Sequence, residues 1–156
     1  MKNMSKVLFL VIVAFALPLA AQKEKPTDDM GAVREALRAE KKKLVTTNMQ
    51  LTESEAKAFW PIYEEYQAEQ KVIGDRMVKL IESYGITHKV MSDDIAANLL
   101  KELLSIQADR VKLQEKYLPK FEKVLPITKV ARYYQIENKF RIAIDYDITA
   151  KIPLVE

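Results

Sequence analysis

With one histidine and no cysteine, this chain has few groups for covalent or metal chemistry. His88 follows Thr87, with Asp93 and Asp94 a few residues on, so one nitrogen and two carboxylates share a short stretch. Zinc and its neighbours draw on several His or Cys ligands, and Asp93 and Asp94 are better explained as residues that open a helix. A nucleophilic triad needs a base paired with a nucleophile, but no thiol exists and no serine lies in a G-x-S-x-G turn. Gly31, Gly74 and Gly85 stand apart, so no phosphate-cradling loop can be written. The expectation is a protein that is not an enzyme and carries no cofactor or bound metal. A metal-responsive sensor built on His88 ranks last among its possible functions.

The charges offer binding instead of catalysis. Arg34, Arg38, Lys41 and Lys42 crowd one segment, and Arg110, Lys112 and Lys116 crowd another. Glu53, Glu55, Glu64, Glu65 and Glu69 make the stretch between them acidic. Cations beside apolar surface attract other chains quickly and hold them loosely, so these seven are the candidate client-binding residues. Taken singly, each also suits a solvated helix face.

The elements that position these residues read as helices. Glycine is scarce, while Leu, Ala, Lys, Glu, Gln and Arg dominate, and no stretch alternates as a half-buried strand would. The first helix spans about 29–47. The second starts after Thr52 and reaches Tyr84, on the stripe Phe59, Tyr63, Tyr66, Ile73, Met77, Leu80 and Tyr84, with Gly85 as its C-terminal stop. Leu51, Thr52 and Glu55 form its helix-capping motif: Thr52 accepts from the Glu55 amide, Glu55 reaches back to the Thr52 amide, and Leu51 takes the staple position. The third opens at Ser92-Asp93-Asp94 and carries Ile95, Leu99, Leu103, Ile106, Leu113, Tyr117 and Phe121. The fourth opens with Pro126 in its first turn, carries Val130, Tyr133, Ile136, Phe140 and Ile144, and fades before Pro153. Pro61 and Pro119 interrupt helical patterns at one end of the expected hairpin, where a kink or a restart should follow.

The fold class is therefore all-α: an elongated bundle of about four helices around a long central antiparallel hairpin. Two helices of about 45 Å each, at 1.5 Å per residue, cannot bury their stripes against two shorter partners. Apolar surface is left for a second copy or for a client, and a homodimer is the simplest cover.

The N-terminus supplies an address. Lys2 and Lys6 precede an apolar run from Val7 to Ala16, then Pro18 and Ala20-Ala21, the order of a cleaved secretory signal. Leu19, at the third position back from a cut after Ala21, departs from the usual small residue. Removing 1–21 takes two lysines from the 25 basic residues against 22 acids, leaving a net charge near +1. That gives no case for nucleic-acid binding, and no stable membrane insertion is expected once the signal is gone. The expected organisation is signal peptide 1–21, disordered N-terminus 22–28, one helical domain 29–150 and a tail 151–156. The location is the periplasm or, alternatively, the outside of the cell.

The Leu51-Thr52-Glu53-Ser54-Glu55 box resembles the L-T-x-x-Q boxes of the Spy/CpxP family of exported helical chaperones and stress regulators. Glu55 replaces the family's Gln and closes the same hydrogen bond, while Leu125-Pro126-Ile127-Thr128-Lys129 holds the place of a second box without matching it. Phe59-Trp60-Pro61-Ile62-Tyr63-Glu64-Glu65-Tyr66 and the stretch from Ala131 to Lys139 are also similar to that group. The likeness runs from about Val33 to Ile144 on short motifs. It implies a curved, coiled-coil-like cradle of four helices, often dimeric, that shields unfolded client proteins without ATP. The alternative it implies is a regulator that docks on an envelope-stress sensor protein.

Overall fold

The computed structural model describes residues 26–155, with side chains from Glu35 onward. The signal peptide read at 1–21 lies outside the described residues. The chain is all-α: helices α1 (Pro26–Met49), α2 (Glu53–Thr87), α3 (Asp93–Glu122) and α4 (Ile127–Thr149), with a 3₁₀ turn His88–Val90 between α2 and α3. Helix α1 begins inside the stretch 22–28 expected to lack structure. Packing divides the chain into two compact units with the boundary between Thr47 and Asn48, within α1 and within the segment read as one domain. Among the described residues no helix is long and apolar enough to cross a membrane.

The first unit contributes most of α1. Arg38 pairs with Glu35 at 3.0 Å, one turn away, on its exposed face.

The second unit is a three-helix arrangement built on the α2–α3 hairpin. As residue numbers rise along α2 they fall along α3: Phe59 lies against Phe121, Glu65 pairs with Lys120, Glu69 with Lys116, and Arg76 with Glu102. Helix α4 then returns along the hairpin. At its start Lys129 meets Glu55, and past its end the Pro153 carbonyl accepts from the Tyr84 hydroxyl at 2.7 Å. Three helices thus share one apolar seam.

Their ends follow from local chemistry. Thr52 caps α2 through a complete capping box, and Ser92 caps α3 by accepting from the Ile95 amide at 3.3 Å. Gly85 was expected to stop α2, but the helix runs through it to Thr87 with no glycine at positive φ among the described residues. A left-handed stop is unnecessary because His88 continues in right-handed conformation and its amide bonds to the Tyr84 carbonyl. Pro126 is the cap before α4 and not its first residue, with extended ψ of 143°. Pro61 and Pro119 sit at the same end of the hairpin, yet both lie inside unbroken helices and both are exposed. Each has lost a single hydrogen bond on a solvent face, which a long packed helix tolerates.

The core is aromatic and concentrated at that end. Phe59, Tyr66, Tyr117, Phe121 and Tyr133 are almost completely buried. Phe121 is central, with ring centroids 4.8 Å from Tyr133, 5.5 Å from Phe59 and 5.9 Å from Tyr66. Each such ring removed from water stabilises the fold by about 1.5–3 kcal/mol, and offset or edge-on pairs add to that. Towards the hairpin tip the stripe thins: Ile73, Met77, Leu80 and Tyr84 are only half-buried.

Candidate functional site

The capping motif is the first place to look for a site, and it is a structural joint. The Glu55 amide donates to Thr52 Oγ1 at 3.3 Å and the Thr52 amide to Glu55 Oε2 at 2.8 Å. Leu51 is half-buried beside them. Lys129 Nζ donates to both Glu55 Oε2 and the Gln50 carbonyl, the latter at 3.1 Å. Gln50 has φ of 49°, the left-handed region seldom used by residues with a Cβ. The Lys129 ammonium, followed by the Thr52 amide, holds the Glu55 carboxyl below the usual carboxylate range. One lysine therefore fastens the start of α4 to the turn that opens α2.

A second cluster is equally structural. Glu137 on α4 is 4% exposed among the rings, and its Oε1 accepts from Gln67 Nε2 at 2.9 Å. The same amide group reaches the Tyr133 hydroxyl at 3.2 Å, and Gln70 donates to the Tyr66 hydroxyl at 2.7 Å. Burial pushes the Tyr66, Tyr117 and Tyr133 phenols up, and Tyr134 up to about 12. Among the described residues no buried side-chain nitrogen or oxygen lacks a partner. A satisfied network of this kind fixes geometry and leaves no reactive group exposed.

The candidate client-binding cations fall in both units. Arg34's side chain lies outside the described ones. Arg38, Lys41 and Lys42 lie on α1, and none is idle: Arg38 is paired with Glu35, and Lys41 and Lys42 each take part in an interaction. On α3, Lys116 turns towards α2 and is held by Glu69 at 2.7 Å, while Arg110 turns towards α4, 3.8 Å from Asp145. Lys112, the most exposed of the three, reaches only Asp109 at 3.4 Å. Arg76 ties the hairpin together through Glu102, Asp109 and Ser105 at 2.9, 2.6 and 3.0 Å. Its guanidinium lowers the Glu102 and Asp109 carboxyls, and the pair raises Arg76 in turn. These charges set the register of the hairpin.

His88 sits at the hairpin tip, stacked on Tyr84 with centroids 5.9 Å apart and Nδ1 2.9 Å from the Gly85 carbonyl oxygen. Among the described residues no group of three His, Asp or Glu side chains is placed to hold a metal ion. Asp93 and Asp94 occupy the first turn of α3.

What the outer surface does offer is an apolar stripe on α3. Leu100, Leu104, Val111 and Leu118 are 56%, 55%, 53% and 37% exposed. With Ala97 they fall at helical spacings of three, four and seven, on the side of α3 away from Ile106, Leu113 and Tyr117. Lys101 and Lys112 border this stripe, and Glu115 lies along it. Sequence reading had assigned α3 one apolar face and overlooked the second. The signal was present: Ala97, Leu104, Val111 and Leu118 recur every seven residues, out of phase with the core positions.

Compared with protein-family profiles, with characterised proteins and with solved structures, the chain matches none.

Proposed function

We propose that this protein is an ATP-independent chaperone of the cell envelope, of the Spy/CpxP type, that holds unfolded chains against the outer stripe of α3. The observation that carries the reading is the exposure of Leu100, Leu104, Val111 and Leu118 together along one face. Scattered exposed apolar residues are ordinary, but a continuous exposed stripe marks a surface for other chains. The bordering lysines attract acidic segments and cover apolar surface with their stems. Contacts of this kind are weak one by one and tolerant of client sequence. The motif likeness around Leu51, Thr52 and Glu55 points the same way.

The test is suppression of aggregation of an unfolding reporter by near-stoichiometric amounts of the protein, alone and as Leu104→Ser/Val111→Ser. The expected result is suppression that the double variant loses while its helicity is unchanged. No suppression at any ratio, or suppression indifferent to the double variant, overturns the reading.

A further inference from the structure

Between α2 and α3, towards the hairpin tip, lies an open groove that is separate from the outer stripe. We propose that this groove binds a single-chain fatty carboxylate, with its head group on Lys79 and its tail along Leu80 and Leu99. The site goes beyond the chaperone reading and does not depend on it.

Charge pairing along the hairpin points to the head group. From the aromatic end, Glu65 pairs with Lys120, Glu69 with Lys116, and Arg76 with Asp109 and Glu102. Acids stand on α2 and bases on α3 at first, and the order reverses at Arg76. Nearer the tip Lys79 continues the basic side, but α3 presents Asn98 in place of an acid. Lys79 is exposed and has no ion-pair partner among the described residues. The acids around it are committed elsewhere: Glu102 to Arg76 at 2.9 Å, Asp75 to Lys71 at 2.6 Å, and Asp109 to Arg76 and Lys112. The Ser83 hydroxyl and the Asn98 amide line the same groove as neutral donors. An anion with several acceptor sites can use all three, and the bond to the ammonium is the strongest.

The tail follows from the remaining walls. Leu80 and Leu99 are half-buried, so each keeps apolar surface for a ligand to cover. The groove holds about 270 Å³, just under the range of about 300–1,000 Å³ for sites of drug-sized ligands. One alkyl chain suits that size, and a two-chain phospholipid does not. A cation at one end and two leucines beside it match an acid head on an apolar chain.

The experiment titrates the whole chain with hexanoate, octanoate and decanoate, and with decyltrimethylammonium as the cationic counterpart, by isothermal titration calorimetry. The carboxylates should bind, each added methylene strengthening binding up to about fourfold while the groove can cover it, and the ammonium should not. Lys79→Glu should weaken decanoate binding about tenfold or more. Asn98→Asp, which gives Lys79 a carboxylate of the chain's own, should weaken it similarly. Both positions are exposed, so equal helicity of all forms checks that the fold persists. Lys139→Glu, the same change of charge on exposed α4 surface, should bind as wild type does. So should Leu104→Ser/Val111→Ser, which alters only the outer stripe. No binding of decanoate, equal binding of the ammonium, or wild-type affinity in Lys79→Glu or Asn98→Asp would each overturn the proposal. Loss of binding in Leu104→Ser/Val111→Ser would place the ligand on the outer stripe and overturn it as well. The reporter assay does not enter these readouts, so the groove and the chaperone reading stand or fall separately.

Discussion

Replacing Phe121 by alanine tests the description of the core most directly. Its side chain is fully buried, and its ring lies within 6.3 Å, centroid to centroid, of Phe59, Tyr66, Tyr117, Tyr133 and Tyr134. Removing a buried phenyl group costs about 3–5 kcal/mol through lost transfer energy and the cavity left behind. The five neighbours belong to three helices that also hold one another apart, so the cavity cannot collapse easily and the upper half of that range applies. Domains of this size are stable by about 5–15 kcal/mol, so one substitution should remove a large fraction of the total. At about 2 kcal/mol per molar of urea, a loss of about 4 kcal/mol moves the unfolding midpoint down by about 2 M. Urea unfolding followed by circular dichroism at low protein concentration measures this, with Leu104→Ala as the comparison. Leu104 on the outer stripe should cost under about 0.5–1 kcal/mol. If Phe121→Ala costs less than about 1.5 kcal/mol, or Leu104→Ala as much as Phe121→Ala, the assignment of inner and outer faces on α3 is wrong.

Further outcomes follow from single positions. Gly74 lies within α2 with nothing within 4 Å of where a Cβ would stand, so Gly74→Ala should raise stability by about 0.5–1 kcal/mol in thermal or urea unfolding. Gln50→Gly relieves the left-handed backbone at φ 49° and should also stabilise, by up to about 1 kcal/mol net of Gly's extra freedom in the unfolded chain. Because Glu55, Glu69, Glu102 and Asp109 have lowered folded-state values, the stability they contribute is present above their unfolded values. It is lost as pH falls through the folded ones. Lys129→Met removes the main cause at Glu55, so melting temperature should fall less steeply with acid in that variant. The raised phenols of Tyr66, Tyr117, Tyr133 and Tyr134 act at the other end of the scale. Their contribution is intact below about pH 10 and is lost above it, so phenolate absorbance from these four should appear together with loss of helicity.

Regular spacing made most of the fold legible. Phe59, Tyr63 and Tyr66, then Ile106, Leu113, Tyr117 and Phe121, then Val130, Tyr133 and Phe140, are buried as their three- and four-residue intervals required. Thr52 and Ser92 act as caps because the side chain that accepts and the amide that donates lie within one turn. What stayed hidden depends on partners far along the chain. Lys129 reaches Glu55 across 74 positions and Glu137 reaches Gln67 across 70, and no local pattern announces either. Glu137 sits at a stripe position of α4, where a charged residue reads as an interruption until its amide donor is seen. Gly85 misled for a related reason: glycine commonly ends helices, but α2 is held past it by a continuing backbone ladder. The candidate cations on α3 diverge because sequence clustering cannot tell which flank of a helix each one occupies. Arg110 and Lys116, six residues apart, turn to opposite neighbours.

The carboxyl group at Glu137 acts as a detent for the last helix to join the hairpin. Apolar seams between helices are forgiving, and a helix can slide by one turn and still cover similar oil. If α4 slid that way, Glu137 would leave the Gln67 amide that satisfies it, and a buried carboxyl short of its hydrogen bond is costly. Misaligned arrangements are thus expelled even though their greasy contacts are nearly as good, and a chain with six prolines and few glycines still settles on one alignment.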